Sequence, residues 1–228
     1  MKKVILYAGL ILASFCLHGQ KKICNIAIEG GFDFSKPWAT SLNSYDFLYK
    51  PAYHVGLDLL FRCNTYPTKK SLDMGYYVHF QMLFSANGLK WQSGRDTFSM
   101  MFYNFEFPVS FAMNFDLVPN KLALVPQIGV VPLFRFDGVA RELGSELYLE
   151  DDKTILNSGE DDKTFSLFDL GVTAGIALTY INHLHIGFDA TLYCFPIFKE
   201  ELQMDEKMFG FRTYVRFFFT NKEGERNW

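Results

Sequence analysis

After its first fifteen residues the sequence lacks any uninterrupted apolar run of about 18 residues, so no helix long enough to cross a bilayer is expected. It has no Cys-x-x-Cys pair among its 4 cysteines, which argues against a zinc or dithiol redox site. It has no basic cluster, and its formal net charge is −3, so nucleic acid is excluded as a partner class. It also lacks the polar balance of an ordinary secreted domain: 49% of the residues are hydrophobic and 18% aromatic, including 25 Phe.

The N-terminus sets the expected compartment. Lys2 and Lys3 precede an apolar run from Val4 to Phe15, and a more polar stretch follows to Gln20. That order reads as a signal peptide over residues 1–20, with residues 21–228 as one mature domain. The bulky Phe15 fits poorly with lipidation at Cys16. Three cysteines then remain, Cys24, Cys63 and Cys194, which allow at most one internal disulfide.

The dominant pattern is period-two alternation, the signature of a strand with two unlike faces. It recurs in eight runs. In the first, Ile26, Ile28, Phe32 and Phe34 oppose Asn25, Ala27, Glu29, Gly31 and Asp33. In the fourth, Tyr103, Phe105, Phe107, Val109, Phe111, Met113 and Phe115 oppose Asn104, Glu106, Ser110 and Asn114. The others cover residues 54–62, 73–84, 122–136, 169–180, 184–193 and 209–219. Each is about as long as a tilted strand needs to cross a bilayer. The connections alternate between long (35–52, 85–100, 137–165, 194–207) and short (64–71, 116–121 and a turn near Asn182). This predicts an all-β, eight-stranded antiparallel transmembrane up-and-down barrel with both termini in the periplasm. Pro126 and Pro132 each remove a ladder donor, so a bulge or an early strand end near Pro132 is expected; Pro108 raises the same issue.

Alternation alone does not say which face meets water. The apolar face carries most of the Phe, too much bulk for the inside of a small barrel. The polar face is rich in glycine. Its charges are Glu29, Asp58, Arg62, Glu106, Arg135, Asp169, Asp189, Arg212 and Arg216, with no lysine. Carboxylates and arginines without lysine predict an internal ion-pair network and a lipid-facing apolar surface.

Three segments carry a family resemblance: Gly30-Gly31-Phe32-Asp33-Phe34-Ser35, then Tyr103-Asn104-Phe105-Glu106-Phe107-Pro108, and Phe168-Asp169-Leu170-Gly171 with Gly175. With the aromatic closing strand they resemble the PorT-like outer-membrane β-barrel family of Bacteroidetes, over nearly the whole mature chain. The resemblance implies an integral outer-membrane barrel. Some members of that family take part in type IX secretion and gliding; most have no assigned activity.

The candidate chemistry is sparse. His79, His185 and Ser110 fall on the inward face, His183 at a short turn, and His54 has no evident serine or acid partner. The lipid face offers almost no nucleophile or base, so no enzymatic activity and no cofactor are expected. Glu150-Asp151-Asp152-Lys153-Thr154 recurs as Glu160-Asp161-Asp162-Lys163-Thr164, an acidic loop whose spacing is not that of an EF-hand calcium site. Cys24 and Cys63, expected level with each other on adjacent strands, are the candidate disulfide pair. The expected role is structural or interactive within the cell envelope. Outer-membrane lipid surrounds the barrel, and the long loops offer surfaces to other envelope proteins. The runners-up are a narrow channel or solute-binding barrel and a lipid-modifying enzyme.

Overall fold

Alternating sequence becomes strand throughout. The computed structural model describes residues 24–39, 46–66, 74–93, 96–118, 121–143, 151–153, 166–180, 183–197 and 207–219, among which there is no helix. The signal segment and most of the acidic loop lie outside them, as do the side chains of Arg62, Cys24 and Cys63.

The strands are β1 (Cys24–Ala39), β2 (Asp46–Leu48), β3 (Lys50–Tyr66), β4 (Met74–Ser93), β5 (Asp96–Glu106), β6 (Val109–Val118), β7 (Leu122–Leu143), β8 (Asp151–Lys153), β9 (Phe168–Tyr180), β10 (Leu184–Tyr193) and β11 (Lys207–Phe219). Every pairing is antiparallel. β1 pairs with β3 on one side and with β11 on the other, so the sheet closes on itself. β5 and β6 are one spanning strand interrupted at Phe107–Pro108, and β2 and β8 are three-residue additions, which leaves the eight spanning strands expected. Closure removes the unpaired edges that neither lipid nor water-exposed assembly tolerates well.

Two expectations are corrected. The first is the effect of Pro126 and Pro132; the interruption expected at Pro108 is there, between β5 and β6. β7 runs through Pro126 and Pro132 to Leu143 and holds unbroken register with β9 from Leu122 to Phe134. Phe107 N donates to Pro132 O (2.9 Å), so Pro132 turns its missing donor toward the β5–β6 strand. Pairing with that neighbour lapses at Met113–Asn114 and at Phe107–Pro108, where Pro108 also turns its own missing donor toward β4, and the register of β7 with β5 shifts at Phe136, four residues past Pro132. The second is the long connections. Residues 85–100 are not a loop: β4 continues to Ser93 and β5 begins at Asp96, paired down to Ser93↔Asp96. β4 spans 20 residues and β7 22, about twice the roughly 9–11 that a bilayer-crossing strand needs, so this end of the sheet extends as a long hairpin beyond its neighbours.

The faces divide as the sequence predicts. Ile28, Val55, Leu57, Phe105, Ile128, Ile176, Ile186, Val215 and Phe217 stand exposed on the outside, with Phe32 reaching 66%. Glu29, Asp58, Asn104, Asp169 and Arg216 are fully buried inside. The interior is layered. An apolar cluster that includes Leu60, Tyr77, Val125 and Phe218 fills the short-turn end. Another, with Leu89, Phe102, Leu133, Tyr193, Ile197 and Met208, fills the long-loop end. The charged groups lie between.

Two features build the plug at the long-loop end. β3 stops pairing with β4 at His54↔Ser85, and Ala86, Asn87, Gly88 and Leu89 are then buried in succession. Ser35 Oγ on β1 donates to Gly88 O (2.7 Å) and accepts from Gly88 N (2.9 Å). Since β1 and β4 are not neighbours in the sheet, these bonds draw the β4–β5 hairpin inward across β3. Opposite it, the segment after β10 returns over the mouth. Ser166 N donates to Ile197 O and Cys194 N to Leu170 O, and Ile197 is fully buried.

Candidate functional site

The interior arginines organise the charged layer. Arg216 on β11 directs Nε at Glu29 Oε2 (2.7 Å) and Asp58 Oδ2 (2.8 Å), and its guanidinium lies 4.5 Å from the Tyr214 ring centroid. Gln81 Nε2 also donates to Glu29 Oε2 (2.8 Å), and His79 Nδ1 lies 2.8 Å from Asp58 Oδ2 and 3.2 Å from Arg216 Nη1. One level up, Arg212 donates from Nε to Asp33 Oδ1 (2.9 Å) and from Nη2 to Glu106 Oε2 (2.7 Å). Ser85 Oγ donates to Glu106 Oε1, and Asn104 Nδ2 to Ser85 Oγ (3.3 Å). Charge-assisted bonds of this length are among the stronger polar contacts available in a low-dielectric interior.

Arg135 and Asp169 form a separate clamp. Arg135 Nη2 donates to Asp169 Oδ2 (2.7 Å) and Nη1 to Ser166 O (3.1 Å). Asp169 Oδ1 accepts from the backbone of Leu170 and Phe195 (2.7 and 3.1 Å). The clamp thus ties β7 and β9 to the returning segment that carries Ile197.

Eight of the nine charged residues expected inside are there, and the side chain of Arg62 lies outside the described residues. Asp189 is buried too, with Gln127 Nε2 donating to its Oδ1 (2.6 Å). Asp33 was on the same face by alternation and belongs to the network. His54 requires a correction: it has two acid partners, Asp33 (Nδ1–Oδ1 3.0 Å) and Glu29 (Nε2–Oε1 3.4 Å). Lys50, in a segment expected to be loop, donates to Ser99 Oγ (2.7 Å) at the long-loop mouth. The register sets Cys24 opposite Phe61, two residues from Cys63 along β3, and the disulfide expectation concerns side chains outside the described ones.

Glycine explains how so many large polar groups fit. Gly187 is paired with Tyr214, and a Cβ on it would lie 2.3 Å from the tyrosine ring. Gly175 is paired with Asp189, and a Cβ there would lie 1.7 Å from Oδ1. Gly31 is paired with His54, and a Cβ would meet the imidazole Cε1 at 2.8 Å. Interior side chains lie flat over the glycine of the adjacent strand. This is how the His54 ring, resting on Gly31, reaches both Glu29 and Asp33, the inward residues on either side of it.

A cavity of about 20 Å³, roughly the room one water needs, remains near the short-turn end. Leu60, Tyr77, His79, Asn114, Val125, Thr179 and His185 line it. His185 Nδ1 and Thr179 Oγ1 are buried there without hydrogen-bond partners.

No family model matches the chain, and no curated protein matches it. Among solved structures it is similar to the outer membrane enzyme PagL (13% identity over 82% of this chain and 97% of that one, TM-score 0.38). It is also similar to Ail, the attachment invasion locus protein of Yersinia pestis (13%, 87% and 100%, TM-score 0.37). A third is Neisserial surface protein A (11%, 85% and 97%, TM-score 0.42).

Proposed function

We propose that this chain is an integral outer-membrane β-barrel protein with a non-enzymatic, structural or interaction role in the cell envelope. The observation that carries the reading is the inversion of its faces: a continuous apolar exterior around an interior filled by paired charges and sealed by an apolar cluster at each end. An apolar exterior suits lipid, and a filled interior disfavours conduction. The projecting parts of β4, β5 and β7, with the long connections, are then the surfaces offered to envelope partners. In this reading they face the cell exterior and both termini face the periplasm. The PorT-like resemblance makes a component of protein secretion the first kind of partner to look for.

The test is in three parts. The folded protein should migrate differently in boiled and unboiled samples on a denaturing gel and fractionate with the outer membrane; recovery from the soluble periplasm would overturn the membrane reading. Planar bilayers should show no steady conductance, and a reproducible single-channel current would favour the channel alternative. Crosslinking in intact cells should capture envelope proteins through the long-loop end, whereas altered lipid A in a deletion strain would replace this proposal with an enzymatic one.

A further inference from the structure

We propose that His54 is a charged imidazolium in the folded barrel, and that its proton is a pH-sensitive latch at the base of the β4–β5 hairpin. The two ring nitrogens carry the argument. Nδ1 lies 3.0 Å from Asp33 Oδ1 and Nε2 lies 3.4 Å from Glu29 Oε1, and all three side chains are buried. Nε2 and Oε1 have no hydrogen-bond partner elsewhere. A neutral imidazole has one N–H and one lone pair. Either neutral tautomer therefore turns a lone pair toward a buried carboxylate oxygen. Only the doubly protonated ring presents an N–H to each acid.

The acids do not carry that proton themselves. Arg212 Nε donates to Asp33 Oδ1 (2.9 Å) and Arg216 Nε to Glu29 Oε2 (2.7 Å), charge-assisted bonds made to ionised carboxylates. The local charge count agrees. Glu29, Asp33, Asp58 and Glu106 face only Arg212 and Arg216, so four negative groups meet two positive ones. Arg135 is engaged by Asp169, and among the described residues no lysine is buried. Arg212 is the opposing influence, because it reaches the same Asp33 oxygen as the ring. The other close neighbours are uncharged: Gly31 beneath the ring on β1 and Ser85 opposite it on β4.

Its place in the fold gives the proton a mechanical role. His54↔Ser85 is the last pairing of β3 with β4 before the β4–β5 hairpin turns into the mouth. Asp33 joins the ring to Arg212, Arg212 holds Glu106, and Glu106 accepts from Ser85 Oγ. This chain of contacts ends on both strands of the hairpin base. Two residues along β1 from Asp33, Ser35 holds Gly88 in the same hairpin. When the proton leaves, one acid meets a lone pair and withdraws, and the movement of Asp33 reaches the hairpin through Arg212. Folding in this scheme takes up a proton that an unfolded chain, whose histidines titrate near about 6.5, largely lacks at neutral pH. The stabilisation is complete below that value and is lost as pH rises through the titration of folded His54.

The experiment uses the mature chain, isotopically labelled and folded in detergent. Nitrogen magnetic resonance of the His54 ring, assigned through its backbone, should show both nitrogens protonated at neutral pH. As pH is raised past the His54 titration, hydrogen exchange, corrected for its intrinsic pH dependence, should rise in residues 86–104 and stay unchanged in β9 and β10. Across the same titration the folding equilibrium constant should fall by up to about tenfold per pH unit. His54→Gln should abolish that fall, and the difference in migration between boiled and unboiled samples confirms that the variant is folded. A single N–H on His54 at neutral pH overturns the proposal, and that measurement needs no variant. A fall that survives in His54→Gln overturns it by assigning the proton to another group. Exchange that rises uniformly, or not at all, overturns the latch. Because the measurements are made in detergent, their failure would leave the outer-membrane reading untouched.

Discussion

Glu29 and Arg216 face one another directly across the seam where the first spanning strand meets the last, with Glu29 Oε2 2.7 Å from Arg216 Nε. The pair sits at the point on which closure of the barrel depends, and Asp58 on the third side makes it a three-member cluster. Replacing Arg216 with methionine strands two buried carboxylates. Breaking a buried pair in this way costs about 3–5 kcal/mol. Glu29→Gln added to Arg216→Met should recover part of that loss, because one stranded charge is gone. Reversible guanidinium unfolding in lipid vesicles, followed by tryptophan fluorescence, measures both; equal stability of the single and double variants would show that the cluster is not coupled.

The berth of Tyr214 over Gly187 predicts a different kind of sensitivity. Alanine at 187 has nowhere to place its methyl group, since the ring is already 2.3 Å from that point. Gly187→Ala should destabilise the barrel by about 1–3 kcal/mol, the usual range for overpacking. Tyr214→Leu in the same background should restore part of the loss by clearing the ring, whereas Tyr214→Leu alone should only destabilise. A double-mutant cycle with a favourable coupling is the expected result, and strict additivity would refute the berth.

The sequence made the barrel legible because an apolar exterior and a close-packed polar interior both write into it. Phe, Ile and Val on one face and Gly, Arg and carboxylates on the other gave strand number, face assignment and eight of the interior charges before any coordinates. The partnering of those charges was not legible. Glu29 and Arg216 lie far apart in the chain, and their meeting depends on register across a seam that no local pattern specifies. His54 was missed as an acid-bound imidazole because its partners are diagonal, reached over a glycine. The long hairpins read as loops in sequence because polar residues such as Ser85, Asn87 and Gln92 interrupt the alternation along the extension of β4. Pro108 interrupts its own strand as its sequence implies, whereas Pro126 and Pro132 leave β7 unbroken for a related reason: a missing donor perturbs whichever neighbour it faces, and sequence does not say which one that is.

The inward lean of the β4–β5 hairpin rests on the two bonds between Ser35 and Gly88. Ser35→Ala deletes only Oγ and removes both bonds, leaving the Gly88 N–H and C=O without that partner. The expected cost is about 1–3 kcal/mol, local to the hairpin. Hydrogen exchange of the reconstituted protein should rise in residues 86–104 and stay unchanged in β9 and β10. A uniform rise across the barrel would mean that Ser35 supports global closure, and no change would mean that the apolar cluster around Leu89 and Phe102 alone holds the hairpin down.

Ile176 provides the most direct test of what surrounds the barrel. It lies on the outside of β9, 45% exposed, paired with Phe188 on β10 and Pro126 on β7 and remote from either end of its strand. If water surrounded this face, Ile176→Lys would be close to neutral, as exposed surface substitutions usually are. If lipid surrounds it, lysine must carry its charge to the middle of the hydrocarbon or bend its stem toward an interface, and the cost should be about 2–4 kcal/mol. Leu117→Lys, on the same outer surface but beside the short connection at 119–120, should cost at most about 1 kcal/mol, because the interface is within reach. The difference between the two sites, measured by unfolding from vesicles, is the informative quantity. A depth-dependent penalty requires a bilayer, and equal, small penalties at both positions would identify a barrel whose phenylalanine-rich exterior is covered by something other than lipid.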